Sequence, residues 1–246
     1  MPVLDGENKY EIISVRSDRV TIEGFRLRHS GFSGWNDIAG IKIYNARDVV
    51  IRSNVLENTF FGIYSQNSNN CSIIGNELHS NAADEIQSGN GIHCWKCDSM
   101  RIIGNSITRH RDGIYFEFVT NSLIQQNNSF DNARYGLHFM FSHNDNYKDN
   151  VFNNNGSGVS VMFSHGVNML GNTFERNRGG SSYGILMKEI TDSRAEGNHF
   201  VNNTCGIYME GTTRIAVVKN SFESNGWAMK IQASCSDNTV SGNNFR

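Results

Sequence analysis

A glycine followed by an apolar residue recurs along the chain at a nearly constant interval. The pairs are Gly40-Ile41, Gly62-Ile63, Gly91-Ile92, Gly113-Ile114, Gly136-Leu137, Gly158-Val159, Gly184-Ile185 and Gly206-Ile207, and Ala228-Met229 takes the ninth place. A second series of the form Asn-x-(Leu/Phe/Ile) begins at Asn54, Asn76, Asn105, Asn128, Asn150, Asn172, Asn198, Asn220 and Asn243. Most steps in both series are about 22 residues long, which is typical of a repeat architecture.

Within each repeat, apolar and polar residues alternate with a period of two rather than 3.6, which predicts short strands. A repeat of about 22 residues accommodates three such strands and three corners. The sequence therefore predicts an all-β fold, a right-handed single-stranded parallel β-helix of about nine to ten coils with roughly 22 residues in each. The asparagines are expected to stack at a corner and to hydrogen-bond along the axis.

We assign residues 1–246 to a single β-helix domain. The chain ends at Arg246, directly after an Asn-x-Phe corner, and neither end carries an obvious polar cap. Because an open coil leaves unpaired backbone groups, we expect this chain to be a fragment of a longer β-helix.

Strand alternation assigns an outward direction to two positions of every Gly-Ile strand. The first outward series is Lys42, Tyr64, His93, Tyr115, His138, Ser160, Leu186, Tyr208 and Lys230. The second is Tyr44, Gln66, Trp95, Glu117, Met140, Met162, Lys188, Glu210 and Gln232. Two insertions, Ala82 to Asn90 and Arg178 to Tyr183, enter at one corner beside this face, and loops that flank a rigid face commonly carry binding sites.

Thioethers and imidazoles converge on the middle coils of this face. The candidate metal ligands are His138, Met140, His143, Met162 and His165. Met162 and His165 repeat Met140 and His143 one coil later, about 4.8 Å away along the axis. Methionine and histidine together favour copper, and methionine favours Cu(I) in particular. The competing interpretation is that the methionines only pack and that the histidines are only solvated.

A carbohydrate-active or carbohydrate-binding β-helix is the main alternative, because the long face of such a rod suits a chain of sugars. Aromatic side chains for sugar stacking and acid–base groups are both present. They are Tyr64, Trp95 and Tyr115 for stacking, and Asp112, Glu117, Asp145, Arg111, Arg134 and His110 for acid–base chemistry. No dense acidic cluster of the kind that binds Ca²⁺ is present in the sequence. A purely structural adaptor, whose outer face contacts only protein, is the third possibility.

The CxxC segment Cys94-Trp95-Lys96-Cys97 stands alone in the sequence. Strand alternation directs Cys94 inward, which favours a buried packing thiol, although a disulfide or a metal ligand remains open. Cys71, Cys205 and Cys235 are interpreted as small core residues.

Charge and composition exclude several classes of protein. The formal net charge of −2 argues against a nucleic-acid partner, which requires a basic face. No run of 18 apolar residues occurs, so we predict no transmembrane segment, and Met1 to Tyr10 shows no signal-peptide pattern. The 33 asparagines, 24 glycines and single proline agree with a chain of short strands and tight corners.

Three central blocks of sequence resemble the NosD family. They are Arg109 to Thr120, Arg134 to Asp145 and Gly158 to Ser164, and the later segments Tyr183 to Lys188 and Gly206 to Gly211 continue the likeness. The resemblance covers residues 90 to 246 in detail and the earlier coils by their repeat pattern.

The resemblance implies a periplasmic copper-maturation factor of nitrous-oxide reductase with a β-helix fold and no catalytic turnover of its own. It further implies partners: the subunits of an ABC transporter, a copper-carrying lipoprotein and nitrous-oxide reductase itself. Because a periplasmic protein needs a signal peptide and none is recognisable in this sequence, we expect the chain to be truncated. The five candidate copper ligands come from their chemistry, and the surface-binding candidates around them are His93, Trp95, Tyr115, Glu117, Arg111, Asp112 and Arg134.

Overall fold

A computed structural model describes residues 1–33, 36–81 and 85–246. The described residues form 31 β-strands, β1 to β31 in chain order, and no helix. Every strand pairing is parallel, and the strands assemble into three sheets, A, B and C, that run along one solenoid. The predicted parallel β-helix is therefore confirmed.

The strands of each sheet lie three elements apart in the chain. Sheet A contains β1 (Val3–Asp5), β4 (Arg26–Arg28), β7 (Val55–Glu57), β10 (Glu77–His79), β13 (Ser106–Thr108), β16 (Asn128–Phe130), β19 (Val151–Asn153), β22 (Thr173–Glu175), β25 (His199–Val201), β28 (Ser221–Glu223) and β31 (Asn244–Phe245). Sheet B contains β2 (Ile13–Val15), β5 (Ala39–Tyr44), β8 (Phe61–Gln66), β11 (Ile92–Trp95), β14 (Asp112–Glu117), β17 (Tyr135–Met140), β20 (Ser157–Met162), β23 (Tyr183–Lys188), β26 (Cys205–Glu210) and β29 (Trp227–Ile231). Sheet C contains β3 (Thr21–Glu23), β6 (Val50–Arg52), β9 (Ser72–Ile74), β12 (Arg101–Ile103), β15 (Leu123–Gln125), β18 (Asn146–Lys148), β21 (Asn168–Leu170), β24 (Arg194–Glu196), β27 (Ala216–Val218) and β30 (Thr239–Ser241).

Each turn of the solenoid contributes one strand to each sheet, so sheets of ten or eleven strands correspond to about ten turns. The register follows the glycine repeat, because Ile92 pairs with Ile114, Ile114 with Leu137 and Leu137 with Val159. Side chains that are far apart in sequence therefore become neighbours on successive turns.

Identical side chains stack inside the solenoid. The rings of Phe152, Phe174, Phe200 and Phe222 lie at centroid separations of 5.4, 4.8 and 4.8 Å along the axis. The glycine of each repeat makes room for this packing: a Cβ on Gly136 would lie 2.7 Å from the Gly158 carbonyl oxygen and 2.8 Å from Phe152. The recurrent glycine is thus explained by steric contact with the next turn.

Asparagine side chains form the expected ladder, with one correction. The amide of Asn105 donates to Asn127 and that of Asn127 donates to Asn150, both at 2.9 Å, so Asn127 and not Asn128 belongs to the series. Ser129 occupies the inward position that is Ile107 in the preceding turn, and this substitution displaced the sequence pattern by one residue. A second ladder, absent from our prediction, consists of Asn132, Asn155, Asn177, Asn203 and Asn225.

Long connections enter at one corner, between sheets A and B. The predicted insertion before Tyr183 lies there, between β22 and β23. The insertion predicted from Ala82 to Asn90 also follows a sheet A strand, although residues 82–84 lie outside the described part of the chain. A third long connection, between β4 and β5, was not predicted. In the described part of this connection, the carbonyl oxygen of Asp37 accepts from Nζ of Lys42 at 3.0 Å, so the segment borders the outer face of sheet B.

Candidate metal-binding site on sheet B and its corner

The outer face of sheet B carries the predicted series in the predicted register. His93 pairs with Tyr115, Tyr115 with His138, and His138 with Ser160 in one column. In the second column, Trp95 pairs with Glu117, Glu117 with Met140, and Met140 with Met162. These side chains therefore lie on the side of the sheet that strand alternation predicts.

Three of these four residues of the first column are nevertheless buried, contrary to the open surface that we expected, and Tyr115 is half-buried. His93 is 9% exposed, His138 is 5% exposed and Ser160 is fully buried. The His93 ring stacks on Tyr64 at 4.6 Å and lies 4.7 Å from the Tyr115 ring. Burial, together with the nearby Arg111 charge, lowers the pKa of His93 to about 3 and keeps the imidazole neutral.

A buried ion pair holds His138 in place. Arg134 donates from Nε and Nη2 to the carboxylate of Asp112 at 3.1 and 2.9 Å, and Asp112 is fully buried. Nδ1 of His138 lies 3.2 Å from Nη2 of Arg134 and 3.5 Å from Oδ2 of Asp112, so the imidazole belongs to the same buried network. Burial raises the pKa of Asp112, but His138 and Arg134 outweigh burial and hold that pKa below its usual range.

The second column ends in two neighbouring thioethers. Met140 and Met162 are paired in register on β17 and β20, and both side chains are half-buried. The hydroxyl of Tyr115 donates to Sδ of Met140 at 3.7 Å, so one thioether is held from the protein side. Two soft sulfur donors therefore lie side by side at the edge of the sheet.

The corner that follows these methionines carries two imidazoles. His143 and His165 pair across neighbouring turns, and their rings stack at a centroid separation of 4.0 Å and an interplanar angle of 7°. The backbone N–H of His165 donates to Nδ1 of His143 at 3.2 Å. Partial burial, followed by the neighbouring His165, lowers the pKa of His143, whereas the side chain of His165 is exposed.

The donor set fits a soft ion at low coordination better than a closed cage. Within the described residues, no group of three or more His, Cys, Asp or Glu side chains is arranged to hold a metal. A nitrogen lone pair lies in the plane of its own ring, so two parallel rings 4.0 Å apart cannot both point at one ion. One imidazole must turn out of the stack, and the exposed His165 is the less constrained of the two.

Several predicted residues lie elsewhere. His110 and Asp145 are fully buried, which removes them from any acid–base role on the outer face. Burial raises the pKa of Asp145 to about 8, although its Oδ1 accepts the Ser122 N–H at 2.7 Å. Trp95 and Glu117 are half-buried on sheet B, Arg111 precedes β14, and the thiols of Cys94 and Cys97 are free and buried.

Three phenylalanines that were not predicted as site residues lie at the same corner. Phe118, Phe141 and Phe163 are exposed by 45, 36 and 40%, and their rings stack at 5.3 and 5.1 Å. All three have φ near +50°, a conformation that favours asparagine, and Asn45 and Asn67 hold the equivalent place in earlier turns. Bulky apolar residues in such positions are a recognisable signal of function.

Fold and site together define a parallel β-solenoid with a soft donor set on one corner. A family model described as "Periplasmic copper-binding protein (NosD)" matches residues 80–246. The chain belongs to the NosD family. Within the described residues, no helix is long and apolar enough to cross a bilayer.

One curated relative is the Pseudomonas aeruginosa (PAO1) protein named "Probable ABC transporter binding protein NosD". It is 30% identical over 112 residues, which are 45% of this chain and 26% of the relative. The match thus spans about a quarter of that protein's length.

Solved structures of similar shape are carbohydrate-active β-helices. The Azotobacter vinelandii mannuronan C-5 epimerase AlgE6 A-module gives a TM-score of 0.70 at 17% identity, covering 97% of this chain and 78% of that one. The periplasmic alginate epimerase AlgG gives 0.66 at 13% identity, covering 99% and 74%. At this level of identity the likeness shows the fold alone.

Proposed function

We propose that the corner formed by Met140, Met162, His143 and His165 binds one Cu(I) ion as cargo. The single observation that carries the proposal is that Met140 pairs in register with Met162 while His143 and His165, three residues further along the same two turns, pair with each other. Thioether and imidazole donors match the preference of Cu(I), and carboxylate-binding metals would find no ligands of their own in this set.

The proposed ligand set omits His138. Its Nδ1 lies against Arg134, its Nε2 is buried without a hydrogen-bond partner in the described structure, and its ring lies 4.9 and 4.7 Å from Tyr115 and Tyr135. A metal at that nitrogen would have to displace the packed rings. We therefore propose that His138 stabilises β17 by packing and does not bind copper.

The exposure of the corner suits transfer rather than storage. Met140 and Met162 are half-buried and His165 is exposed, so a partner protein can approach the ion directly. A site with few ligands leaves coordination positions for a donor or an acceptor, and the ion can pass between proteins with little rearrangement.

In the cell, we propose a non-catalytic role in the periplasm, where the protein helps to deliver copper to nitrous-oxide reductase. A copper-carrying lipoprotein would supply the ion, and the subunits of an ABC transporter would form the docking partner. The family description as a periplasmic copper-binding protein supports the compartment and the cargo. The name of the Pseudomonas aeruginosa relative, an ABC transporter binding protein, supports the partner.

A competition titration tests the copper site. Cu(I) is titrated under reducing, anaerobic conditions into the chain in the presence of a chromophoric Cu(I) chelator. We expect one ion per chain, and an affinity at least about tenfold weaker in the Met140→Ala/Met162→Ala variant.

Leu186→Ala is the matched control, because Leu186 is a half-buried apolar residue on the same face of β23. This variant should bind copper as the unmodified chain does. Equal affinity of the unmodified chain and the double methionine variant would refute the proposed site.

A further inference from the structure

Aromatic rings recur at every second turn along the corner between sheets A and B. The first residues of β17, β20, β23, β26 and β29 form one column, and Tyr135, Tyr183 and Trp227 are its aromatic members. We call these three rings the aromatic edge. Their spacing of two turns is about 10 Å, which is close to the length of a disaccharide unit in an extended polysaccharide.

The rings lie over the outer face and remain accessible. Tyr135 lies 4.7 Å from the His138 ring and Tyr183 lies 4.9 Å from the Tyr208 ring, and both tyrosines are half-buried. Trp227 is exposed, with Nζ of Lys230 4.6 Å from its ring centroid. The Arg134 guanidinium also lies 5.0 Å from the centroid of the Tyr135 ring, and the remaining surface of each ring is flat and apolar, as sugar stacking requires.

Two guanidinium groups beside the aromatic edge have no carboxylate partner within the described residues. Arg111 is half-buried, makes no ion pair there, and its Nε is inaccessible and without a hydrogen-bond partner. Arg178 donates from Nε to the carbonyl oxygen of Asn202 at 2.7 Å, which leaves its charge unpaired. Because a half-buried unpaired cation such as Arg111 is costly, its position favours an anionic ligand, and the exposed guanidinium of Arg178 can add a second charge contact.

A cavity provides independent support. An open cavity of about 520 Å³ lies at the same corner, between Arg178 and Trp227, and amide and hydroxyl side chains such as Asn203 and Thr204 line it. Its polar lining suits a hydroxyl-rich ligand.

We propose that an extended polysaccharide of acidic sugars binds along the aromatic edge, with sugar rings on Tyr135, Tyr183 and Trp227 and carboxylates at Arg111 and Arg178. An acidic peptide is less favoured, because β17 and β23, which carry Tyr135 and Tyr183, are already paired on both sides and offer a peptide backbone no free edge. This proposal is independent of the copper site, which lies at the opposite end of the sheet B strands.

The test measures binding of a hexamer of uronic acid to the purified chain by calorimetry, with metal excluded by chelator. A neutral hexasaccharide of xylose serves as the ligand control, and it should bind at least about tenfold more weakly. Arg111→Gln and Tyr183→Ala should each weaken binding of the acidic hexamer by about tenfold. Arg101→Gln, at an exposed arginine on sheet C, should leave it unchanged.

Thermal unfolding of each variant verifies that the fold is retained. Three outcomes would overturn the proposal: no binding of the acidic hexamer at millimolar concentration, equal binding of the neutral hexamer, or unchanged binding in Arg111→Gln. Tight binding of oligoglutamate that depends on Arg111 but not on Tyr183 would instead assign the edge to an acidic peptide. None of these outcomes affects the copper titration, because that experiment uses the methionine variants, whereas the sugar-binding experiment uses the Arg111 and Tyr183 variants and excludes metal.

Discussion

Two sets of histidines on the same few turns differ in their surroundings. His93 and His138 occupy outward strand positions of sheet B and are buried, whereas His143 and His165 follow the corner and are half-buried and exposed. Both sets arise from the same repeat. The difference shows that the register of a solenoid determines the side of the sheet, whereas solvent contact depends on neighbouring rings and on the long connections beside that face.

The two sets also differ in what holds them. The strand histidines are packed among tyrosine rings and beside the Arg134–Asp112 ion pair. The corner histidines contact mainly each other, through ring stacking and one backbone hydrogen bond. We therefore expect substitutions in the first set to change stability and substitutions in the second set to change copper binding.

The largest effect is expected when the buried ion pair is broken. Asp112→Asn leaves the half-buried Arg134 without its carboxylate and should lower the free energy of unfolding by about 3 kcal/mol. Urea denaturation measures the loss. Asp192→Asn is the control, because Asp192 pairs with Arg214 at the surface and should contribute little. Equal losses in the two variants would remove the distinction between the buried network and the exposed surface.

The buried imidazoles should make the fold sensitive to acid. The pKa of His93 is lowered from 6.5 to about 3, so the unfolded chain binds a proton that the folded chain excludes. Stability is therefore lost as the pH falls from about 6.5 towards 3, by about 1.4 kcal/mol per unit for this group. His93→Phe should flatten this dependence in thermal unfolding scans between pH 6.5 and 4, although the similarly buried His110 still contributes.

The same substitution at the corner provides the comparison. His143→Phe should change the slope of stability against pH much less, because only partial burial and the neighbouring His165 depress its pKa. If His93→Phe and His143→Phe reduce the dependence of stability on pH to the same degree, the proposed difference in burial between the two sets of histidines is wrong.

Copper affinity should depend on the corner histidines, His143 and His165, and not on the strand histidines, His93 and His138. His165→Ala is expected to weaken Cu(I) binding by about tenfold, since it removes the exposed imidazole. His138→Gln should leave both stoichiometry and affinity unchanged, because its ring is packed against Arg134 and Tyr135. Competition titration of both variants measures the difference, and a loss of copper in His138→Gln would restore His138 to the ligand set.

The smallest effect is expected at the exposed phenylalanine stack. Phe141 has a φ of 48°, which asparagine tolerates well, and the ring is 36% exposed. Phe141→Asn should therefore change the free energy of unfolding by less than about 0.5 kcal/mol in chemical denaturation. A loss of several kcal/mol would show that this stack supports the fold.

The sequence predicted the architecture well because the repeat carries strong steric information. The Gly136 and Gly158 positions, the inward apolar residues after them and the order of the outward columns all follow from period-two alternation. The asparagine ladder was misplaced at Asn128 because Ser129 replaces an apolar residue at the inward position. The Asn-x-(Leu/Phe/Ile) pattern identifies the ladder asparagine only where the inward position after it holds an apolar residue.

The candidate site was less predictable. The Met140–Met162 pairing and the His143–His165 pairing follow from register, and both are present. The burial of His93 was not predictable, because it depends on contacts with Tyr64 and Phe61 from another turn. The phenylalanine corner could have been found by aligning each turn at Asn45, where the central turns replace a polar residue by phenylalanine.

X-ray absorption spectroscopy of the Cu(I)-loaded chain is the most direct test of the soft corner. We expect one copper ion with sulfur and nitrogen atoms bound directly to it, and the loss of the sulfur signal in Met140→Ala/Met162→Ala. A shell of nitrogen and oxygen alone, or a sulfur signal that survives in the double variant, would contradict this expectation.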